Sequence, residues 1–401
     1  MTSERPGKFD VCVVGGAGRV GLPLAISLAN AGKTVVAYDI NKSSLETIAT
    51  GTMPFLELGA EVILKRVINK TLFVSCERSI ISASKFVVLV IGTPVDEHLN
   101  PNLNIFNNFI ESIIDQIHDH HHIILRSTVY PGTTEKTKKY LESKGKHCRL
   151  SFCPERIAQG KAMEELRVLP QLISSFDEES LREVRELFSL VADEIVELAP
   201  VEAELGKLFT NVWRYITFAV ANQFYQIAAQ NDVDFYKVYK AIRHNYPRIQ
   251  DFPKAGFAAG PCLFKDTMQL TAYSNNTFLL GHVAMLINEG MPNFIVDRIK
   301  YKYNLKDKTA GILGMAFKAD NDDNRESLSY KLRKILQIEA RKVLCSDVYI
   351  KDDSFVSPEE LVKNSEIIIL GTPHKEYRSI YIPDDKILID IWDFYERSSA
   401  L

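Results

Sequence analysis

The chain has 401 residues, of which 46% are hydrophobic and 25% charged, and a formal net charge of -3. This balance is typical of a soluble protein with two or three domains, each large enough for its own core. The small net charge argues against a nucleic-acid or membrane partner, since both attract basic surfaces. We find no signal-peptide pattern and no membrane-spanning run. The six cysteines have no paired spacing, so we expect reduced thiols in a cytoplasmic protein.

The first half of the chain alternates predicted strands with predicted helices. An apolar strand at residues 9–14 leads into a glycine loop and a helix at 22–31, and a second strand at 34–38 ends beside Asp39. Further strands are predicted at 86–91, 123–126 and 150–153. Small or polar residues follow each of these strands, which is typical of a parallel sheet wound on both faces.

From about residue 200 the pattern becomes helical. The apolar spacing over residues 201–233 predicts one long helix, and a helical segment continues to about residue 298. Strands resume at 309–313, 342–345, 367–371 and 387–391. We therefore predict an α/β protein with a Rossmann-type domain at 1–199, a helical central domain at 200–300 and a second α/β domain at 301–401.

A glycine-rich loop joins the first predicted strand to the first helix. Gly16, Gly18 and Gly21 have the spacing of dinucleotide-binding loops, whose glycines allow a tight turn and let a pyrophosphate approach the helix N-terminus. Asp39 is placed to accept hydrogen bonds from the adenosine ribose and to repel a 2′-phosphate. We predict NAD as the cofactor; the alternative is a structural glycine turn.

A single cysteine, Cys262, lies in a loop of small residues shortly before Lys265 and Asp266. A thiolate traps an aldehyde as a thiohemiacetal, which loses a hydride to become a thioester that water hydrolyses. A simple alcohol dehydrogenase needs no such cysteine, whereas an enzyme that carries an alcohol through to a carboxylate does. Without these neighbours, a lone cysteine is more commonly a buried thiol.

Lys207 and Asn211 are four residues apart on the predicted long helix. They therefore share one face of that helix and can point together into a cleft. The alternative for this pair is a solvated helix face, where lysine and asparagine are common.

Eight sequence stretches occur in order along the chain: GAGRVGLPLA at 16–25, GTMPFLE at 51–57, GTP at 92–94, STVYPGT at 127–133, CPERIAQG at 153–160, ExxKxxxN at 204–211, GFAAGPCLFKD at 256–266 and GMAFKADNDDNRES at 314–327. Together they resemble the UDP-glucose/GDP-mannose dehydrogenase family over nearly the full length. The resemblance implies NAD-dependent oxidation of C6 of a nucleotide sugar from alcohol to acid, in the service of capsule or other surface polysaccharide synthesis. It also implies a C-terminal nucleotide-sugar domain, and the long apolar helical segment favours a homodimer.

The resemblance implies catalytic roles by position. Cys262 matches the family's nucleophile, and Lys207 with Asn211 matches a pair that stabilises an alkoxide or thiohemiacetal oxyanion. Three further candidates match family residues that support the cysteine or that position and activate water: Asp266, Glu155 and Thr128. Glu155 has the alternative role of a helix cap.

Further candidates follow for the two ligands. The cofactor-binding candidates are Gly16, Gly18, Arg19, Val20, Gly21, Asp39, Thr93, Thr128, Lys265 and Arg325. The substrate-binding candidates are Glu155, Arg156, Lys207, Asn211, Arg248, Gly256, Phe257, Gly260, Phe317 and Lys318. Arginine suits these tasks because its guanidinium pairs with two oxygens at once. Arg248 resembles an arginine contributed across the dimer, although Arg248 and Arg325 are also compatible with surface or interface salt bridges.

Two clusters have the composition of metal sites, but we predict no metal. The run HDHHH at 118–122 lies between a helix and a strand, away from the predicted chemistry, and we expect a solvated loop there. The acidic cluster at 320–323 lies inside one of the family-like stretches, where a structural turn is expected.

Some positions differ from the common family pattern. Gln159 stands where a second glutamate is frequent, AAGP precedes Cys262, and Leu328 replaces a proline. The CPER and GPCL segments resemble the branch that acts on UDP-N-acetylhexosamines, so we predict oxidation of such a sugar, with UDP-glucose as the alternative substrate. A single-step hydroxyacid dehydrogenase and a catalytically silent NAD- or nucleotide-sugar-binding protein are the rival functions.

Overall fold

The computed structural model describes residues 8–93, 96, 103–397 and 401. The chain forms two compact units, Met1–Phe209 and Thr210–Leu401. Residues 1–7 lie outside the described residues. So does Pro94, the last residue of the Gly-Thr-Pro stretch at 92–94. The three-domain division at 1–199, 200–300 and 301–401 stays a prediction.

Unit 1 is built on one sheet. Its described strands are β1 (Phe9–Val14), β2 (Val35–Tyr38), β3 (Leu72–Ser75), β4 (Ser84–Leu89), β5 (His122–Leu125), β6 (Arg149–Phe152), β7 (Gln171–Ser175) and β8 (Ile195–Leu198). Its described helices are α1 (Gly21–Asn30), α2 (Lys42–Ala49), α3 (Ala60–Val67), α4 (Leu103–Ile113), α5 (Thr133–Ser143), α6 (Ala162–Val168) and α7 (Glu178–Phe188). A long helix, α8 (Pro200–Gln230), begins in this unit.

The strand order of this sheet is β3-β2-β1-β4-β5-β6-β7-β8. The chain winds outward in both directions from the β1–β4 pair, which is where doubly wound sheets bind nucleotides. The predicted α/β fold is confirmed, but the sheet is not parallel throughout, because β7 pairs antiparallel with β6. An antiparallel neighbour needs no crossover, so residues 153–170 connect the carboxyl end of β6 to β7 without returning across the sheet.

The two faces of the sheet carry separate apolar clusters. Val11 and Val13 belong to one cluster, while the alternate residues Cys12 and Val14 belong to the other. This division follows from the alternation of side chains along a strand. Cys12 is fully buried, as expected for a packing residue inside a strand.

Unit 2 continues α8 and adds α9 (Phe235–Arg243), α10 (Leu263–Tyr273), α11 (Leu279–Lys302), α12 (Leu328–Glu339) and α13 (Pro358–Asn364). Its described strands are β9 (Thr309–Leu313), β10 (Lys342–Ser346), β11 (Ile367–Leu370) and β12 (Ile387–Ile389). They pair in the order β10-β9-β11-β12, all parallel. The predicted long helix and the second α/β sheet are both present. Across the described ranges, no helix combines the length and apolarity needed to cross a bilayer.

The prediction of a solvated histidine loop before β5 is wrong for two of the four histidines. His121 and His122 are buried, whereas His118 and His120 are exposed. His122 is the first residue of β5, and its ring nitrogens lie 3.0 Å from a Glu183 carboxylate oxygen and 2.7 Å from a serine hydroxyl. Burial is tolerated because these partners satisfy the imidazole. Among the residues that the structure describes, no cluster has the arrangement of a metal site.

Candidate active site

The glycine loop between β1 and α1 leaves no room for a side chain at Gly16 or Gly21. A Cβ on Gly16 would lie 2.6 Å from the Val13 carbonyl oxygen, and one on Gly21 would lie 2.2 Å from the Gly15 carbonyl oxygen. At the start of α1, Val20 provides no side-chain cap. The positive end of the helix is therefore open to an anion such as the pyrophosphate of a dinucleotide.

Asp39 directly follows β2 and is fixed beside this loop. Its carboxylate accepts hydrogen bonds from the backbone N–H groups of Ala17 at 3.1 Å and Asn41 at 3.0 Å. A carboxylate held here suits the ribose hydroxyls of NAD and disfavours the 2′-phosphate of NADP. The Arg19 guanidinium, in the same loop, lies 5.0 Å from the centre of the Phe55 ring.

Two predicted threonines meet at the ends of neighbouring strands β4 and β5. The Thr93 hydroxyl donates to the Thr128 carbonyl at 2.6 Å. Next to them, the Ser127 hydroxyl accepts from the Ile91 backbone N–H at 2.8 Å. These bonds tie the two strand ends together at the edge of the sheet where a nucleotide is expected.

Glu155 lies in the segment after β6 and is held from several sides. Its carboxylate forms an ion pair with Arg126 and accepts the backbone N–H groups of Arg156 at 2.7 Å and Ile157 at 3.0 Å. The Arg156 side chain donates in turn to the Pro170 carbonyl. Glu155 is thus a paired and oriented carboxylate rather than a helix cap. Nothing in the sequence alone distinguished Arg126, which was simply the last residue of a predicted strand.

The first turns of α8 are anchored by a buried acid, Glu204, which stands out in the sequence only as the first residue of the ExxKxxxN stretch. Glu204 accepts the Gly132 N–H at 2.6 Å, the Thr134 N–H at 2.8 Å and the Thr134 hydroxyl at 2.5 Å, all at the start of α5. Burial raises the pKa of Glu204 above its usual value, and these hydrogen bonds oppose the rise. The anchor fixes the part of α8 that carries Lys207, three residues further on.

Lys207 and Asn211 both lie on α8, one turn apart. Their exposed fractions are 7% and 5%. The alternative of a solvated helix face is therefore wrong. A buried ammonium and a buried amide supply fixed hydrogen-bond donors of the kind that stabilise an oxyanion.

In unit 2, Cys262 stands at the N-cap of α10 and is exposed. One turn later, Asp266 is fully buried and accepts a hydrogen bond from the Asn211 side-chain amide at 2.6 Å. Asp266 also pairs with the Lys265 ammonium at 3.1 Å, and its backbone N–H donates to the Cys262 carbonyl at 2.9 Å. Asp266 therefore joins the cysteine-bearing helix to the asparagine of α8.

A charged group from the segment between β9 and α12 interacts electrostatically with the thiol. Arg325 binds the Asp323 carboxylate through Nε at 2.9 Å and Nη2 at 2.6 Å. These hydrogen bonds chiefly raise the pKa of Arg325, and its Coulombic interaction with Cys262 adds to the rise. Arg325 is thus linked electrostatically to the Cys262 side chain. The acidic cluster is the expected structural turn, since Asp323 holds Arg325 and Asp320 accepts the Lys375 backbone N–H.

The loop before Cys262 is clamped under two aromatic rings. A Cβ on Gly260, where φ is +101°, would lie 2.5 Å from the Phe317 ring, and one on Gly256 would lie 2.1 Å from the Trp392 ring. The Gly256 N–H also donates to the Asn222 side chain at 2.9 Å. These contacts require glycine at both positions and fix the backbone that presents the thiol.

Three further candidates, Phe257, Lys318 and Arg248, also lie in unit 2. Phe257 packs edge-on against Trp392 with ring centres 6.4 Å apart, and Lys318 is partly buried next to Phe317 in sequence. Arg248 is exposed, and its guanidinium lies 5.7 Å from the centre of the neighbouring Tyr246 ring. The individual roles of all these site residues stay predictions.

Domain models of one enzyme family match three segments of the chain. They are the NAD binding domain at residues 9–192, the central domain at 201–289 and the UDP binding domain at 311–397. The chain belongs to the UDP-glucose/GDP-mannose dehydrogenase family. It is accordingly an oxidoreductase, an NAD-dependent UDP-sugar dehydrogenase, and the glycine cradle and Asp39 fit that cofactor.

Relatives of known name agree with this family assignment. The UDP-N-acetyl-D-mannosamine dehydrogenase of Methanocaldococcus jannaschii is 30% identical over 385 residues, covering 94% of this chain and 88% of the relative. The enzyme of the same name from Pyrococcus horikoshii is 29% identical over 377 residues, covering 91% and 90%. The solved structure of the Pyrococcus horikoshii UDP-D-ManNAc dehydrogenase has a TM-score of 0.89 at 26% identity and covers 98% of this chain and 97% of that one.

Proposed function

We propose that this dehydrogenase oxidises C6 of a UDP-N-acetylhexosamine, UDP-N-acetyl-D-mannosamine in the first place, to the uronic acid through covalent intermediates on Cys262. The observation that carries the proposal is the exposed thiol at the N-terminus of α10, beside Arg325 and backed by the buried Asp266. A one-step alcohol oxidation has no use for such a thiol. The names of the relatives support the choice of sugar.

The first oxidation turns the C6 alcohol into an aldehyde. Water held by Lys207, Asn211 and Glu155 accepts the hydroxyl proton, and the Lys207 ammonium with the Asn211 amide stabilises the alkoxide as it forms. NAD⁺, held at the glycine loop and Asp39, supplies the hydride acceptor for each of the two oxidations.

Cys262 carries the second half of the reaction. Its sulfur bonds to C6 of the aldehyde, and Lys207 and Asn211 stabilise the resulting oxyanion. Oxidation of this thiohemiacetal gives a thioester. Water oriented by Glu155 and Thr128 then attacks C6, the C–S bond breaks, and the thiolate is regenerated. In total, one alcohol, two NAD⁺ and one water give one carboxylate, two NADH and three protons.

The nucleotide is assigned to the second α/β sheet. Phe317, Lys318 and Arg325 lie in the segment between β9 and α12, where the family's UDP binding domain matches. A cationic side chain there supplies the charge that a diphosphate requires in a protein of near-neutral net charge. The proposal includes a cytoplasmic homodimer to which Arg248 contributes across the interface.

The test is the number of NADH formed per sugar consumed, with UDP-N-acetylmannosamine, UDP-N-acetylglucosamine, UDP-N-acetylgalactosamine and UDP-glucose compared at equal concentration. The wild type is expected to give two NADH per UDP-N-acetylmannosamine, and Cys262→Ser to lose the acid product. Cys148→Ser, which changes a cysteine outside the site, is the matched control and is expected to behave as the wild type.

Each alternative function has its own outcome. One NADH per sugar with no effect of Cys262→Ser contradicts the covalent mechanism and favours a single-step dehydrogenase. Two NADH with UDP-glucose as the preferred sugar retains the mechanism and changes the substrate. Ligand binding without NADH from any sugar favours a silent binding protein.

A further inference from the structure

We infer that Arg126 is a positioning residue for this reaction, holding the Glu155 carboxylate in a fixed orientation. The inference rests on the water-activating role proposed for Glu155. Arg126 directly follows β5, and its side chain is completely buried, while that of Glu155 is 11% exposed. A guanidinium keeps its proton at any physiological pH, so a buried one has to be balanced by an anion.

The rest of the Arg126 guanidinium organises the backbone that leads to Glu155. Nη1 donates to the Cys153 carbonyl at 3.1 Å and to the Gln171 side-chain oxygen at 3.1 Å. The Gln171 amide nitrogen donates in turn to the Pro154 carbonyl at 3.1 Å. Arg126 and Gln171 therefore hold both carbonyls that precede Glu155.

The plane of the guanidinium is also supported, because it lies 5.0 Å from the centre of the Phe188 ring. The Glu155 carboxylate is thus approached by Arg126 on one oxygen and by two backbone N–H groups on the other. A carboxylate held in this way acts as a hydrogen-bond acceptor. It can orient the water that attacks the thioester, but it is poorly suited to donate a proton.

The experiment compares Arg126→Gln, Arg126→Lys, Glu155→Gln and the double variant Arg126→Gln/Glu155→Gln by steady-state turnover with a UDP-sugar and NAD. Glu155→Gln is expected to lower kcat by about 100-fold or more, the range for a lost acid–base group. Arg126→Gln is expected to lower kcat by about 10- to 100-fold. This is the loss found in metalloenzymes when a residue that orients a functional side chain is removed. Arg126→Lys should recover part of this loss, and KM for the sugar should change much less than kcat.

The double variant separates positioning from a general structural effect. Residues that act as one unit have non-additive effects, so Arg126→Gln is expected to cost little more once Glu155 is already changed. If the two losses multiply, or if Arg126→Gln lowers only the melting temperature, the inference is overturned while the proposed function stands. If Glu155→Gln retains near-normal turnover, the role of Glu155 fails first and the inference with it.

A second variant covers the case in which Arg126 substitutions do not fold. Gln171→Met keeps the volume and leaves Arg126 and Glu155 in place, but removes the acceptor of Arg126 and the donor to Pro154. It is expected to lower kcat with KM nearly unchanged. Unchanged turnover in folded Gln171→Met contradicts the clamp. Arg149→Gln, which breaks partly exposed ion pairs with Glu179 and Glu183, is the control and should retain full turnover.

Discussion

Cys262 is the exposed cysteine of the described chain, and it differs from Cys12, Cys148, Cys153 and Cys345 in the burial of its sulfur atom. Burial raises the pKa of the Cys12 and Cys153 thiols to about 12, and that of the Cys148 and Cys345 thiols to about 11. These four are protonated at neutral pH and react slowly, since the thiolate is the nucleophile. Cys262 is exposed at a helix N-terminus near a guanidinium, where a thiolate is stabilised.

We therefore expect iodoacetamide at pH 7.5 to modify Cys262 before the three buried thiols and the partly buried Cys148, and to abolish turnover as it does so. Peptide mass spectrometry over time measures the order of labelling. In Cys262→Ser the fast phase should disappear, whereas in Cys148→Ser it should remain. Rapid labelling of Cys153 or Cys345 with Cys262 unmodified would contradict the assigned nucleophile.

At the scale of single residues, the sequence singled out the candidate site residues more readily than the residues that support them. Cys262, Asp39 and the glycines stand out because their residue types and spacing are restricted by what they do. Arg126 belonged to no motif, and Glu204 stood out only as the first residue of the ExxKxxxN stretch. Their partners are distant in sequence, and only the folded chain brings them together. The burial of His121 was missed for the same reason.

At the scale of elements, the loop before α10 is limited by steric contact. Gly260→Ala would place a methyl group against the Phe317 ring in a backbone conformation that favours glycine. We expect a loss of about 2–4 kcal/mol in the free energy of unfolding, from overpacking and from the positive φ, together with slower alkylation of Cys262. Urea denaturation and labelling kinetics measure the two effects.

Gly290 offers a matched control for this substitution. It lies within α11, and a Cβ there would meet nothing within 4 Å. Gly290→Ala should therefore stabilise the chain by about 0.5–1 kcal/mol through helix propensity. If Gly260→Ala and Gly290→Ala change the free energy of unfolding by the same small amount, the Phe317 ring does not restrict the cysteine loop.

His121, which directly precedes β5, is expected to make the stability of the folded chain sensitive to acid. Burial lowers the pKa of His121 from 6.5 to about 4, and the nearby His120 and His118 add to this. Between these values the unfolded chain binds more protons than the folded one, so stability is fully present above about pH 6.5 and is lost as the pH falls toward 4.

Urea denaturation between pH 7.5 and pH 5 tests this expectation. His121→Asn keeps an acceptor for the His118 backbone N–H, which His121 Nδ1 accepts at 2.9 Å, but has no imidazole to protonate. Its stability should fall less steeply with acid than that of the wild type. His147→Gln, which changes an exposed histidine, should leave the slope unchanged. Equal slopes in all three proteins would exclude His121 as the source.

At the scale of the whole molecule, unit 2 displays an apolar surface on two helices. The exposed residues are Trp213, Phe224 and Ile227 on α8 and Leu279, Leu280, Val283 and Leu286 on α11, each between 45% and 68% exposed. Exposed apolar patches of this kind mark interaction surfaces. This supports the proposed homodimer.

If the protein forms the proposed dimer through this surface, Trp213→Glu should convert it to a monomer in sedimentation velocity, because a carboxylate would be buried without a partner. Ile338→Glu is the control, since Ile338 is 82% exposed but lies on α12. It should leave the sedimentation coefficient unchanged. A wild type that sediments as a monomer at micromolar concentration would remove the basis of the dimer proposal.

Much of the large-scale organisation was predicted from the sequence. The pattern of hydrophobic residues changes near residue 200, where a helical segment begins, and near residue 309, where strands resume. The alternation of strands and helices, the long α8 and the second sheet were all predicted. The strands β3, β7 and β8 were not among the predicted ones. The antiparallel pairing of β7 was not predicted either, since the periodicity of a strand does not reveal the direction of its neighbour. Only the tertiary pairing of β6 with β7 determines it.

The close approach of Trp392 to Gly256 also gives the protein a built-in optical reporter. The chain has two tryptophans. Trp213 is 68% exposed, whereas Trp392 is partly buried, with its indole N–H donating to the Leu370 carbonyl at 3.1 Å. In a Trp213→Phe variant, the emission would come from Trp392 alone. Its intensity and wavelength would then follow the cysteine loop as substrate binds, as the thiol is acylated and as product leaves, without an added label.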